Sequence, residues 1–196
     1  KATRNIDFID ARPAFTQADA DILNTRFEGV ETVAMLKTLF AEDQLGEVAL
    51  VSSFGTEAAV LLHLVARINP AVPVIFIDTG KHFSETLAYR KRLTTVLSLQ
   101  DVRVVAPDPI TIEDKDADGQ LHSSNPDRCC AIRKVKPLQD VTVGFDAWFT
   151  GRKRYQAETR LRLPISEIVN GKMRINPLAG IRAEEIDRYF EEHDLP

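Results

Sequence analysis

Residues 47–80 read EVALVSSFGTEAAVLLHLVARINPAVPVIFIDTG, and the order of elements in this stretch decides the fold. EVALV, residues 47–51, is a short apolar run that gives way to the small and turn-forming Ser52, Ser53, Phe54 and Gly55. TEAAVLLHLVARI, residues 56–68, reads as a buried helix that stops at Asn69-Pro70. VPVIFI, residues 72–77, is a second strand, ended by Asp78, Thr79 and Gly80. Continuous apolar strands joined through a helix imply a parallel sheet covered on both faces.

Outward from this unit the same alternation continues. Apolar residues at helical spacing predict helices over residues 16–27 and 29–41, and further helices over about 84–97, 129–143 and 182–193. VRVV at 102–105 and AWFT at 147–150 are a third and a fourth strand. Residues 107–126 read as a polar loop and residues 151–163 as a basic one. The expectation is one domain over residues 1–196, an open α/β fold with a mostly parallel sheet and helices on both faces. In such folds ligands lie beyond the carboxyl ends of the strands. SSFGTE, DTGKH and TGRKR all follow strands, so these three loops should converge on one crevice.

Composition narrows the class. The chain is 44% hydrophobic and 28% charged, ordinary for a soluble globular protein. No apolar run approaches the roughly 18 residues of a membrane span, and KATRNIDFIDARPAF at the start has no apolar signal core. With only two cysteines, the expected location is the cytoplasm. A formal charge of −4 argues against general nucleic-acid binding. That average hides a basic third: residues 128–162 hold nine Lys and Arg against Asp140, Asp146 and Glu158. Such an asymmetry suits a small, highly charged anion.

Each candidate segment has a chemical and a plain reading. In the loop 52–57, small residues and Gly55 let backbone approach an anion at a helix N-terminus, or they merely connect strand to helix. No Gly-Lys-Ser/Thr closes it, so it is not a Walker A loop. Asp78, Thr79 and Gly80 suit hydrogen bonds to an adenine or ribose, or form an ordinary turn. Arg152, Lys153, Arg154, Arg160 and Arg162 present planar forks and an ammonium to anionic oxygens, or a solvated basic loop. His63 reads as packed, His82 as near a ligand beside the DTG turn, and Trp148 as core.

Cys129 and Cys130 stand side by side in SNPDRCCAIRKVKPL. Adjacent cysteines are poorly placed to bridge each other. Two neighbouring thiolates can share one metal centre, an iron–sulfur cluster or zinc; alternatively they are small hydrophobes on a helix. Arg133, Lys134 and Lys136 add positive charge beside them.

In sum these segments resemble the thioredoxin-dependent adenylyl-sulfate and phosphoadenylyl-sulfate reductases of assimilatory sulfate reduction. SSFGTEAAVLLHLV is similar to the family's modified pyrophosphate-binding loop and VIFIDTGKHFSET to its nucleotide-binding strand end. CCAIRKVKPL resembles its cysteine pair, and DAWFTGRKRYQAETR and INPLAG its later signatures. The resemblance implies an adenine nucleotide α-hydrolase-like fold. Ser52, Ser53, Gly55, Arg133, Lys134 and Arg160 would then meet the phosphosulfate, and Asp78, Thr79 and Gly80 would help seat the nucleoside. The paired cysteines resemble the branch that carries a [4Fe–4S] cluster and prefers adenylyl sulfate, with Cys129 and Cys130 as two of its ligands. The implied mechanism is attack of a cysteine thiolate on sulfur, loss of AMP, and release of sulfite by thioredoxin. The family's second cysteine pair and its nucleophilic cysteine are expected beyond Pro196, so these residues alone are expected to bind the nucleotide without turnover. Two thiolates do not fill a four-cysteine site, so the cluster is expected to be absent or labile in these residues alone. Other readings are a phosphoadenylyl-sulfate reductase, an ATP pyrophosphatase on the same fold, a nucleotide-binding module without reductase activity, and a zinc-binding structural protein. Oligomeric state, a homo-oligomer included, stays open.

Overall fold

The structure is a computed structural model and describes residues 15–196; the signal-core reading falls almost wholly outside them. Two helices come first, α1 (Gln17–Phe27) and α2 (Thr32–Glu42). Then β1 (Val48–Val51), α3 (Ala58–Ile68), β2 (Val74–Ile77), α4 (Ser84–Val96) and β3 (Val102–Val105) form the expected strand–helix alternation. After β3 come three short helices, α5 (Pro109–Lys115), α6 (Leu121–Ser124) and α7 (Pro126–Cys130). A π-helical turn, Ala131–Val135, joins α7 to α8 (Lys136–Thr142). Then follow β4 (Ala147–Thr150), β5 (Ser166–Val169), β6 (Lys172–Ile175) and α9 (Ala183–Glu192).

The strand order is β3-β2-β1-β4-β6-β5. All neighbours are parallel except β5 and β6, which pair antiparallel as a hairpin. The open, mostly parallel α/β sheet is therefore as expected, with two strands more than the four read from sequence. The chain runs outward from β1 through β2 to β3, then returns to place β4 on the other side of β1. That reversal between β1 and β4 is where doubly wound folds open a crevice.

Alternate strand residues divide between two cores. Leu50, Val74, Phe76, Phe149 and Ile175 point to the larger, which α1 to α4 and α9 cover. Ala49, Ile75, Ile77 and Trp148 point to the smaller, where Leu138 and Val141 of the α8 segment pack. Both faces are buried, which is why the strands read as unbroken apolar runs. Among the described residues no helix is long and apolar enough to cross a membrane.

Three corrections are local. The polar loop 107–126 contains α5 and α6, because Asp108 caps α5 through its carboxylate on the Thr111 amide at 3.0 Å. The basic loop 151–163 contains two 3₁₀ turns, Arg154–Gln156 and Glu158–Arg160. The expected helix 129–143 begins earlier, at Pro126, and carries the π-helical turn directly after Cys130.

Candidate functional site

β1 lies between β2 and β4, so the loops that leave their carboxyl ends are neighbours. The first, residues 52–57, turns on Phe54, whose φ is +50°. A non-glycine residue there costs about 1–2 kcal/mol. Its ring is fully buried and meets Phe76 edge-on at 5.6 Å. Burial contributes about 1.5–3 kcal/mol and the aromatic pair about 0.5–1.5 more, so the anchor outweighs the strain. Ser52 and Ser53 fold back on this loop: their hydroxyls accept the Phe54 and Gly55 amides at 3.1 and 3.4 Å. A Cβ on Gly55 would meet nothing nearer than the Ser53 hydroxyl at 3.6 Å. The protein's own packing thus leaves room for a larger residue there.

The second loop follows β2. The Asp78 carboxylate accepts the Gly80 amide at 3.0 Å, and Gly80 takes φ +68°, which favours glycine. His82 reaches the Ile77 carbonyl at 3.0 Å and packs on Phe76, so it buttresses the turn.

The third loop follows β4 and is tied to the first by Glu57. Lys153, only 1% exposed, pairs with Glu57 Oε2 at 2.9 Å, and Tyr155 Oη and Gln156 Nε2 donate to the same oxygen at 3.0 Å. Burial pushes the Glu57 carboxyl up, but Lys153 and Tyr155 outweigh it and hold it below the usual range. Gln156 also accepts from Arg160 at 2.7 Å, which ties Arg160 to this group. Beneath it, Thr150 donates to buried Asn176 at 2.6 Å, and Asn176 in turn donates to Glu167 and to the Pro164 carbonyl, both at 3.0 Å. Glu167 pairs with Arg152 and Arg174, each at 2.8 Å.

A fourth segment reaches the second loop from the cysteine helix. Arg133, buried in the π-helical turn, donates to the Thr79 carbonyl at 2.8 Å and to Asp116 through Nε and Nη2. Asp116 also accepts the Leu121 amide; that amide and Arg133 hold its carboxyl below the ordinary range. Cys129 is buried, whereas Cys130 and Lys134 are exposed. Thiolates suit a soft metal, but among the described residues no group of three or more His, Cys, Asp or Glu could hold a metal ion. The described donors do not complete a four-ligand site.

Sheet order thus brings Ser52, Ser53 and Gly55 beside Asp78, Thr79 and Gly80, and joins Arg133 to that turn. Sequence reasoning missed Glu57, Lys153, Asn176 and Asp116 as organisers of the site. Glu57 closes SSFGTE and Asn176 lies in INPLAG, so both stood in quoted segments; nothing marked Asp116. A separate groove of about 910 Å³ opens between α1, α2 and α9; of the candidate residues of the three loops only Arg154 lines it.

The family model described as the phosphoadenosine phosphosulfate reductase domain matches residues 47–196. An adenosine 5'-phosphosulfate reductase of Mesorhizobium japonicum is 49% identical over 149 residues, which are 76% of this chain and 59% of that protein. One of a Chelativorans species is 45% identical over 150 residues, 76% of this chain and 61% of that protein. The chain therefore spans about three fifths of the length of these relatives. A crystal structure of phosphoadenylyl-sulfate reductase from Candida auris, a phosphate complex, superposes with a TM-score of 0.76 at 25% identity. That alignment covers 93% of this chain and 89% of the other.

Proposed function

This chain belongs to the phosphoadenosine phosphosulfate reductase domain family, and from that premise we propose that it forms the nucleotide-binding part of an adenylyl-sulfate reductase. The reaction is the reduction of adenylyl sulfate to sulfite and AMP with thioredoxin as electron donor. The observation that carries this reading is the meeting of the loops after β1, β2 and β4 at the β1/β4 reversal, with Gly55 left open by the protein's own packing. Its substrate follows the two curated relatives, both named for adenosine 5'-phosphosulfate.

In this proposal Ser52, Ser53 and Gly55 cradle the phosphosulfate, while Arg133, Lys134 and Arg160 balance its charge. Asp78, Thr79 and Gly80 seat the nucleoside. A cysteine thiolate attacks the sulfur, a sulfur–sulfur bond forms, and the sulfur–oxygen bond to AMP breaks with its electron pair leaving on the phosphate. A thioredoxin thiolate then attacks the cysteine sulfur, sulfite departs with the bonding pair, and the second thioredoxin thiolate attacks the mixed disulfide, closing the thioredoxin disulfide and returning the cysteine as thiolate. The two electrons that take sulfur from sulfate to sulfite come from that dithiol. Cys129 and Cys130 supply two thiolates to a [4Fe–4S] cluster, and no step of the transfer is routed through them.

Isothermal titration with adenylyl sulfate, phosphoadenylyl sulfate and ATP tests the binding half. Tightest binding of adenylyl sulfate is expected; preference for ATP would replace the proposal with a pyrophosphatase reading. In the complete protein, Cys130→Ser is expected to abolish iron incorporation, and iron with acid-labile sulfide retained at parental levels would remove Cys130 from the ligand set.

A further inference from the structure

The acids Asp114, Asp116 and Asp118 alternate along one short stretch, yet the side chain of Asp116 alone is fully buried. α5 ends at Lys115, and Asp116 leaves the helix with φ −151°, which turns its carboxylate inward. Oδ1 accepts the Leu121 amide at 2.8 Å and fixes the start of α6. Oδ2 accepts Nε and Nη2 of Arg133 at 2.8 and 2.5 Å. With two corners of its guanidinium held, Arg133 has one direction left for Nη1, the Thr79 carbonyl at 2.8 Å. Gly80 stands beside this contact, where its φ of +68° favours glycine and a Cβ would make only an ordinary contact with Nη1 at 3.4 Å. Arg133 follows Cys130 by three residues on a continuous helical path, so its anchorage is also the anchorage of the cysteine pair.

We propose that Asp116 is a positioning residue that acts through Arg133: it clamps the cysteine-bearing helix to the Thr79-Gly80 turn, so that nucleotide on the turn and order in the helix are coupled. This rests on the reading that the turn seats the nucleoside. Coupling of this kind is reciprocal, because the same guanidinium reports each segment to the other. Without the carboxylate, Arg133 would be a buried cation with free torsions, and the two segments would move independently.

Hydrogen–deuterium exchange of the full chain, with and without AMP, tests the proposal. In the parent, AMP is expected to slow exchange in residues 78–83 and, through the clamp, in residues 129–135. In Asp116→Asn, AMP-free exchange in both segments is expected to rise at least tenfold. AMP should then protect residues 78–83 alone, and Asp116→Glu should restore part of the coupling by restoring the charge. AMP protection of residues 129–135 that persists in Asp116→Asn would overturn the clamp. If AMP does not bind the parent, the nucleotide reading falls, while parental AMP-free exchange at 129–135 in Asp116→Asn would still overturn the clamp and a rise would support it. Should Asp116→Asn lose its fold by circular dichroism, Arg133→Lys takes its place, since a lysine can face Asp116 or Thr79 but not both. Parental exchange and parental coupling in that variant would refute the proposal; their loss would sustain it.

Discussion

Replacing Glu57 with Gln removes one charge and leaves the shape of the loop junction nearly unchanged. The parent gathers Lys153, Tyr155 and Gln156 on Glu57 Oε2 at 2.9–3.0 Å. After the change, the Lys153 ammonium, 1% exposed, keeps the Gly151 carbonyl at 3.2 Å and a weaker amide oxygen. Breaking a fully buried ion pair costs about 3–5 kcal/mol, whereas a hydrogen bond to a charged group contributes about 1.5–3. The Glu57 side chain is 42% exposed, so water screens it and the lower range applies, at about 2 kcal/mol. For a chain of this size that is a fall in Tm of about 4–8 °C, measured by circular dichroism at pH 7. The pH dependence gives a second check. The Glu57 carboxyl titrates below its ordinary 4.5 when folded, so its contribution is complete above that value and is lost as pH falls through the folded value. The gap between parent and Glu57→Gln should therefore close as pH drops from 4.5 towards 3. A difference under about 1 °C at pH 7, or a gap that stays constant down to pH 3, would refute the reasoning.

Three further changes probe other joints. Phe54→Ala empties the buried ring site and keeps the positive φ, so urea denaturation should show a loss of about 3–5 kcal/mol; a loss under 1 would mean that the ring does not anchor the loop. His63, on α3, meets the Tyr189 hydroxyl of α9 at 2.9 Å, and burial, then His193 and Arg67, hold its pKa below the ordinary 6.5. The unfolded chain thus binds the proton first, and stability should fall as pH drops through 6.5; His63→Gln should flatten the Tm profile there, and an identical slope would exclude His63 as the titrating group. Arg160→Ala should weaken adenylyl sulfate binding by about 1.5–3 kcal/mol, read by calorimetry, and an unchanged Kd would return that side chain to solvated surface.

The strands of the parallel core were legible because burial on both faces leaves an unbroken apolar signature. β5 and β6 were not. SEIV and KMRI each carry two charged or polar residues in four, since Glu167 and Arg174 turn away from the core towards Arg152 and each other. Their pairing across the Asn170-Gly171 turn, where both residues take positive φ, supplies the stability that apolar content does not. The short helices α5 and α6 hid in a run of Asp, Pro and Ser that reads as loop. They bury nothing of their own, and what fixes them is capping: Asp108 at the start of one and Asp116 holding the first amide of the other.

The candidate site divides along the same physical line. Residues that present backbone, such as Gly55 and Gly80, declare themselves locally, because a turn after an apolar strand is a property of neighbouring sequence. Residues that hold one loop against another do not. Glu57 and Tyr155 are 98 positions apart, and nothing in SSFGTE or TGRKRY specifies that the acid of one will neutralise the base of the other. Charge content could suggest only that the basic loop serves an anion. The structure uses part of that charge internally: Lys153 answers Glu57, Arg152 answers Glu167, and Arg133 answers Asp116. An internal partner and an external anion are not exclusive, since a guanidinium fixed on two sides keeps N–H groups on the third. A crevice whose cations are already oriented by carboxylates loses little side-chain freedom when an anion arrives. The acids that orient these cations, Glu57, Asp116 and Glu167, all lie outside the basic stretch 128–162, and on this view they are what makes the cluster rigid enough to select one anion.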